Sequence, residues 1–338
     1  MSEPAAISVP SSWTRTIIDA LLVAGVDVFK VLSEAGFSQD DFRDPNAALP
    51  TQASARLWKL AVTHTGDSAF GLEAARRVNQ TTFHGLGVAV LASATIRDAM
   101  QRLVRYDRLV CDGAALTLSV SEGTACLSLC PHAGQPACHE ASDAVFSLIV
   151  RVCRLVTNRT FDLELVRFRR ATPEAQRPYQ QVFRCPIEFG CAEDSLLFDA
   201  RALETPLVMA NAELARRNDE AARLYLERMD QEGIVTLVRN KLSPRLADRP
   251  SAQLIARELG MSQRSLQRRL NEAGSGYEAL LAALRKEQAC ALLRENRLNV
   301  AELAFALGFE DASAFARAFR RWTGVSPSAY RAEPGAHW

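Results

Sequence analysis

Two short segments hold the side chains best suited to chemistry. In "DASAFARAFRRWT" (311–323), Phe315, Ala318, Phe319 and Trp322 recur at the i, i+3, i+4, i+7 spacing of a helix with one apolar stripe. Ser313, Arg317, Arg320 and Arg321 fall outside that stripe, and Ala312 opens the helix. In "MSQRSLQRRL" (261–270), Ser262 is followed by Gln263, Arg264, Gln267 and Arg268, while Leu266 and Leu270 face inward. A guanidinium is a planar fork that donates two parallel bonds to phosphate oxygens or to the O6/N7 edge of guanine, and a Gln amide matches adenine. For one isolated helix, a solvated charged face is the plainer reading of such a pattern.

The surroundings favour chemistry, because the unit occurs twice. "SAQLIARELGMSQRSLQRRLNEAGSGY" (251–277) aligns with "NVAELAFALGFEDASAFARAFRRWTGVSP" (299–327). Leu259-Gly260-Met261 matches Leu307-Gly308-Phe309; Leu266, Arg268 and Leu270 match Phe315, Arg317 and Phe319 after one extra residue in the second turn. Each copy predicts a short helix, a turn with Gly at positive φ, and an amphipathic second helix, which is a helix-turn-helix layout. Ser251 and Asn299 are the expected caps of the first helices, with Glu302 completing a capping box, and Ser262 and Asp311 cap the second helices. Between the copies, 277–296 predicts a helix of about 30 Å. That length suits two units about one DNA turn apart, roughly 34 Å.

The run "LAFALGFEDASAFARAFRRWTGVSPSAYR" (303–331) resembles the signature of the AraC/XylS family of bacterial transcription regulators. The marks are Gly308-Phe309, Ser313…Phe315-x-Arg317-x-Phe319, and Gly324-Val325-Ser326-Pro327…Tyr330-Arg331. "ARELGMSQRSLQRRLNEAG" fits the same family. "GLGVAVLASATIRDAMQRLVRY" and "CPIEFGCAEDSLLFDARALETPL" are similar to the arabinose-binding-like sensor and dimerisation domain of one branch. The resemblance implies that position 264, the Gln267-Arg268 pair, Ala312, Ser313 and Arg317 face a DNA groove. Ala312 and Ser313 depart from the longer polar residues of some members. The expected division is therefore unequal: the first copy reads bases, while the second sets Arg317 on a base edge and Arg320 and Arg321 on phosphates.

The rest of the chain fits a sensor joined to this reader. At 338 residues there is room for two domains, and 48% hydrophobic with 23% charged residues is ordinary globular composition. Residues 231–338 hold 16 Lys and Arg against 11 Asp and Glu, and the remainder 24 against 28, so one end is suited to a polyanion. Residues 1–205 read as an α+β effector-binding and dimerisation domain. The pattern is helical from Trp13 to about Ala92, with Leu21, Leu22, Val28, Val31 and Leu32 as one apolar set. A helix is expected over 93–110 with Thr95 as its cap, then a hairpin of "ALTLSVS" and "TACLSLCP" joined by Glu122-Gly123, and a buried helix over 140–157. "DLELVRFRR" and "SLLFDA" read as further strands. Residues 206–232 are a helical linker with Pro206 at its start and Gly233 at its end; 233–338 is an all-α DNA-binding domain with its two units at about 251–273 and 299–323.

Several alternatives weaken on inspection. Cys126, Cys130, His132, Cys138 and His139 lack the tight pairs of a zinc site, and hairpin alternation explains Cys126 and Cys130 as small apolar residues. Gly85 and Gly87 have no third glycine for a dinucleotide loop, and no P-loop, H-E-x-x-H or G-x-S-x-G string occurs. Arg105, Tyr106 and Arg108 suit an anionic effector but equally a plain helix surface. No catalytic residue, metal or cofactor is expected. The start of the chain lacks a basic n-region, and no run of eighteen apolar residues exists, so the expectation is a bacterial cytoplasmic, nucleoid-associated protein without a membrane partner. The expected partners are double-stranded promoter or operator DNA, a small-molecule effector and a second copy in a homodimer, with RNA polymerase a further candidate. The rival readings are a ligand-independent DNA-binding protein whose N-terminal domain only dimerises, and an enzyme tethered to DNA.

Overall fold

The computed structural model describes residues 8–37, 48–111, 113–132, 138–295 and 298–332. The chain divides into two compact units, Met1–Met229 and Asp230–Trp338.

The first unit opens with strand β1 (Ser8–Pro10), helices α1 (Ser11–Val23) and α2 (Val28–Ala35), and strand β2 (Ala48–Pro50), which pairs antiparallel with β1. Helices α3 (Thr51–Thr65), α4 (Phe70–Arg77), α5 (Gly85–Leu91) and α6 (Ile96–Arg105) follow. Trp13 of α1 is their hub. It lies edge-on to Trp58 at 5.7 Å and to Phe83 at 5.2 Å, and its indole N–H donates to the Val110 carbonyl at 2.6 Å. Of the apolar set expected around α1 and α2, Leu21, Val28, Val31 and Leu32 are buried, but Leu22 is 60% exposed. Thr95 caps α6 by accepting from the Asp98 N–H at 3.2 Å. The helix expected to reach residue 110 stops at Arg105 and tightens into a 3₁₀ turn at Asp107–Leu109. Asp107 accepts there from the Leu116 N–H of the next strand, which ties the turn to the sheet.

Strands β3 (Ala114–Ser121) and β4 (Thr124–Pro131) form the expected hairpin. Glu122 and Gly123 both have positive φ, +52° and +84°, as a tight two-residue hairpin turn requires. Helix α7 (His139–Val156) is buried along most of its length: α4 packs so close that a Cβ on Gly71 would meet the Glu140 carbonyl at 2.2 Å, and Phe146 lies 5.9 Å from Phe168 of the sheet. Strand β5 (Leu165–Phe168), helix α8 (Arg177–Phe183), and strands β6 (Ile187–Phe189) and β7 (Asp194–Asp199) complete a five-stranded sheet of order β3-β4-β7-β5-β6. All its pairs are antiparallel except β5 with β6, which α8 connects. The unit is thus α+β, as expected, although β6 is too short to show an alternation in the sequence. A buried ionic cluster pins α7 to this end of the sheet. The Asp143 carboxylate accepts from Arg170 and from the Tyr179 hydroxyl (2.6 Å), and burial pushes its carboxyl up to about 7 against the pull of Arg170.

Helix α9 (Ala212–Leu242) differs from the expected linker. It starts six residues after Pro206 and runs through Gly233 without stopping. A helical glycine costs about 1 kcal/mol, and burial on both sides of it outweighs that. Ala222, Tyr225 and Met229 bury in the first unit, and Ile234, Val238 and Leu242 bury in the second.

The second unit continues from α9 through a 3₁₀ segment, Ser243–Asp248, into α10 (Ala252–Glu258), α11 (Gln263–Glu272), α12 (Tyr277–Glu295), α13 (Val300–Ala306), α14 (Ala312–Thr323) and α15 (Pro327–Ala332). No strand occurs among its described residues. Both expected helix-turn-helix units are present, α10–α11 and α13–α14.

Candidate nucleic-acid interface

The caps that set the two units are local and match the sequence. Ser251 and Ser262 accept from the N–H of Leu254 (3.2 Å) and Ser265 (3.1 Å). Asn299 and Glu302 form a reciprocal capping box at 2.9 and 2.8 Å, and Asp311 accepts from Ala314 at 2.7 Å. Gly260 and Gly308 turn the chain at φ +69° and +75°. Leu266 and Leu270 seat α11 on the core, and Phe315, Ala318 and Phe319 seat α14, with Trp322 half-buried beside Phe309.

This seating leaves Ser262, Gln263, Arg264, Gln267 and Arg268 exposed on α11 and its cap. On α14, Ser313, Arg317, Arg320 and Arg321 are exposed and Ala312 is half-buried. The charges on these helices differ from three arginines elsewhere in the unit. Arg239 pairs with Glu287 at 2.6 Å, Arg245 with Glu258 at 2.6 Å, and Arg249 with Glu310 at 3.2 Å. Among the described residues no carboxylate lies within ion-pair distance of Arg264, Arg317, Arg320 or Arg321, and Arg268 reaches Glu272 only at 3.9 Å. Among the described residues five of the six arginines on α11 and α14, Arg269 included, therefore have hydrogen-bond donors uncommitted to carboxylates, as has Arg257 of α10, while Arg268 has only its long pair with Glu272.

One residue essential to this geometry carried no signal in the sequence. Arg285, on α12, donates to the carbonyls of Leu307 (2.8 Å) and Gly308 (3.2 Å), and its guanidinium lies 4.9 Å from the centre of the Phe309 ring. It fastens the second turn to the central helix, and burial lowers its pKa. Its spacing along α12 looks like that of any surface arginine. Only the fold brings it to the turn.

In the first unit, a cavity of about 530 Å³ opens between the 78–91 segment, α6 and α7. Phe83, Leu86, Val90, Leu103 and Ile149 line it, with Asn79, Gln80 and Arg151 among its polar contributors. Gly85 and Gly87 serve close packing here. A Cβ at Gly85 would meet the Asn218 carbonyl of α9 at 2.4 Å, and one at Gly87 the Gln80 carbonyl at 2.3 Å. Tyr106 donates to the Asp219 carbonyl of α9 at 3.2 Å, beside an Arg102–Asp219 ion pair at 3.1 Å. Next to Phe83, His84 holds a positive φ and stacks on Tyr225 of α9, with ring centres 3.6 Å apart. Burial, aided by Arg228, lowers the His84 pKa. Cys126 and Cys130 lie on the less buried face of β4, opposite Ala125, Leu127 and Leu129. Part of the Cys/His-rich stretch, 133–137, falls outside the described residues.

Comparison with known proteins gives a family match in each of the two units. Residues 25–207 match the N-terminal arabinose-binding domain of AraC transcription regulators, and residues 255–333 match a helix-turn-helix domain. The ornithine utilization regulator of Pseudomonas aeruginosa is 32% identical over 96% of this chain and 97% of its own length. The HTH-type transcriptional regulator VirS of Mycobacterium tuberculosis is 30% identical over 79% of each chain. A crystal structure of the transcriptional regulator CdpR from Pseudomonas aeruginosa aligns with a TM-score of 0.46 at 23% identity, covering 94% of this chain and 97% of that one.

Proposed function

The chain belongs to the AraC family of helix-turn-helix transcription regulators, and from that premise we propose that α11 and α14 share the DNA unequally and that a small molecule in the first unit governs their action. The protein is a DNA-binding regulator and not an enzyme. Gln263, Arg264, Gln267 and Arg268 read base edges in one major groove from α11, with Ser262 at the helix start beside the backbone. In the next groove Arg317 reaches a base edge, Ala312 and Ser313 make short-range contacts, and Arg320 and Arg321 hold phosphates. The observation that carries this is the display of Arg264, Arg317, Arg320 and Arg321 on the two second helices without carboxylate partners among the described residues, whereas Arg239, Arg245 and Arg249 of the same unit are paired.

The effector's path to DNA runs through α9. Phe83 touches the cavity, its neighbour His84 stacks on Tyr225, and α9 continues past the first unit to Leu242. Occupancy acts only if the ligand binds two arrangements of this contact with different affinity. Two copies pair through the first unit, and the bound protein acts on transcription in the cytoplasm, at the nucleoid, by contact with RNA polymerase. Residues 206–232 serve as the link between sensor and reader. Footprinting upstream of the protein's own and neighbouring genes, with and without metabolite pools, tests the reading. Protection in two successive major grooves that changes with a metabolite is expected. Protection indifferent to every metabolite would leave a ligand-independent binder.

A further inference from the structure

The distribution of polarity in the cavity narrows what it holds. Its floor is apolar: Phe83, Leu86, Val90, Val110 and Ile149 are all at most 4% exposed. Its three polar contributors, Asn79, Gln80 and Arg151, are exposed, so they stand at the mouth, where Leu155 is also 56% exposed. The mouth is built rather than loose. The Asn79 side chain accepts from the Thr81 N–H (2.9 Å) and hydroxyl (2.8 Å), and the Asn79 N–H donates to Thr82 at 3.0 Å. Arg151 donates to the carbonyls of Val78 (2.8 Å) and Arg76 (3.3 Å), which fixes the guanidinium at the rim. Two of its five N–H groups are thereby engaged, and among the described residues no carboxylate lies within ion-pair distance of it.

A ligand rich in hydroxyls would lose its hydration against the floor, where no lining side chain replaces those hydrogen bonds. A cationic ligand would meet Arg151 with no carboxylate among the lining residues to receive it. The volume is within the ordinary range of roughly 300–1,000 Å³ for small-molecule sites. We propose that the cavity binds an amphipathic monocarboxylate, with an aliphatic body on the floor and its carboxylate on Arg151 and the amide of Gln80 at the mouth. The proposal rests on the effector-responsive reading above and gives that effector its chemical class.

The test uses the full chain and four probes: decanoate, decan-1-ol, L-lysine and D-xylose. Calorimetric titration and thermal stability give affinity, and operator affinity is measured alongside. Decanoate is expected to bind and raise the melting temperature, whereas L-lysine and D-xylose do not. Arg151→Gln should weaken decanoate about tenfold or more while leaving decan-1-ol within about twofold, and Arg151→Lys should restore part of the loss. Val152→Trp, which fills the cavity from its half-buried rim, should abolish binding of both probes. The melting temperature of each unliganded variant reports whether it folds. Equal loss of decanoate and decan-1-ol in a folded Arg151→Gln protein would remove the carboxylate from the proposal. Binding of L-lysine or D-xylose in place of decanoate would overturn the ligand class but keep the effector-responsive reading. If no probe or metabolite pool shifts stability and Val152→Trp leaves operator binding unchanged, both fall together.

Discussion

The two helix-turn-helix copies share a layout but are held in place differently. Gly260 and Gly308 occupy the same turn position, each at positive φ. A Cβ on Gly260 would meet nothing within 4 Å, whereas one on Gly308 would lie 2.1 Å from the Leu246 carbonyl. The second turn is also clasped by Arg285, by the Arg249–Glu310 pair, and by a ring cluster in which Phe309, Phe315, Phe319 and Tyr330 follow one another at 5.4–5.6 Å. The first copy has fewer such ties: Arg245–Glu258 and the Tyr277 hydroxyl on the Pro250 carbonyl. A duplicated unit can therefore divide its work, with one copy packed as an anchor while the other displays the longer polar side chains.

The largest expected effect tests the anchor. Gly308→Ala should cost about 4 kcal/mol or more, because a strained φ is compounded by a clash with backbone that cannot swing aside. Gly260→Ala should cost only about 1–2 kcal/mol, the left-handed backbone penalty alone. Denaturant unfolding of the full chain, followed by helical circular dichroism with the transition of the second unit fitted separately, measures both; equal costs would erase the contrast. Next comes Arg285→Met, expected to lose about 2–3 kcal/mol as two carbonyls lose a charged donor. Arg249→Met, whose pair with Glu310 is largely exposed, should lose at most about 1 kcal/mol.

On DNA the order of the copies is expected to reverse. Arg268→Ala should cut discrimination among operator variants by about 1–3 kcal/mol, and Arg317→Ala should cut it less. Competitive binding across single-base operator variants decides this, and an unchanged preference in Arg268→Ala would end the unequal division. The smallest effect is Arg320→Ala, which should weaken all sequences alike and reduce the slope of log affinity against log salt by about 0.9. A sequence-dependent loss there would move Arg320 from phosphate to base.

What could be read in advance follows the range of the forces involved. Caps, turns and amphipathic stripes act over three or four residues, so Ser251, Ser262, Asn299 with Glu302, Asp311 and the hairpin at Glu122-Gly123 were legible. Contacts between distant segments were not. Pro206 and Gly233 looked like helix punctuation, yet α9 begins only at Ala212 and runs through Gly233, because burial of Tyr225 and Met229 on one side and of Ile234 and Val238 on the other outweighs one glycine. Gly85 and Gly87 gave no usable signal, since what demands them is the carbonyls of Asn218 and Gln80.

The sequence by itself determined that this chain carries a duplicated helix-turn-helix with polar, arginine-bearing second helices behind an α+β unit, because periodicity, capping and glycine turns are written in neighbouring residues. Only the tertiary structure decided which copy is anchored, that Arg285 is a clasp, that Arg264, Arg317, Arg320 and Arg321 have no carboxylate partner among the described residues while Arg239, Arg245 and Arg249 are paired, and where an apolar cavity meets Arg151. Those facts depend on which remote carbonyls, carboxylates and side chains come within a few ångströms, and no local pattern specifies that.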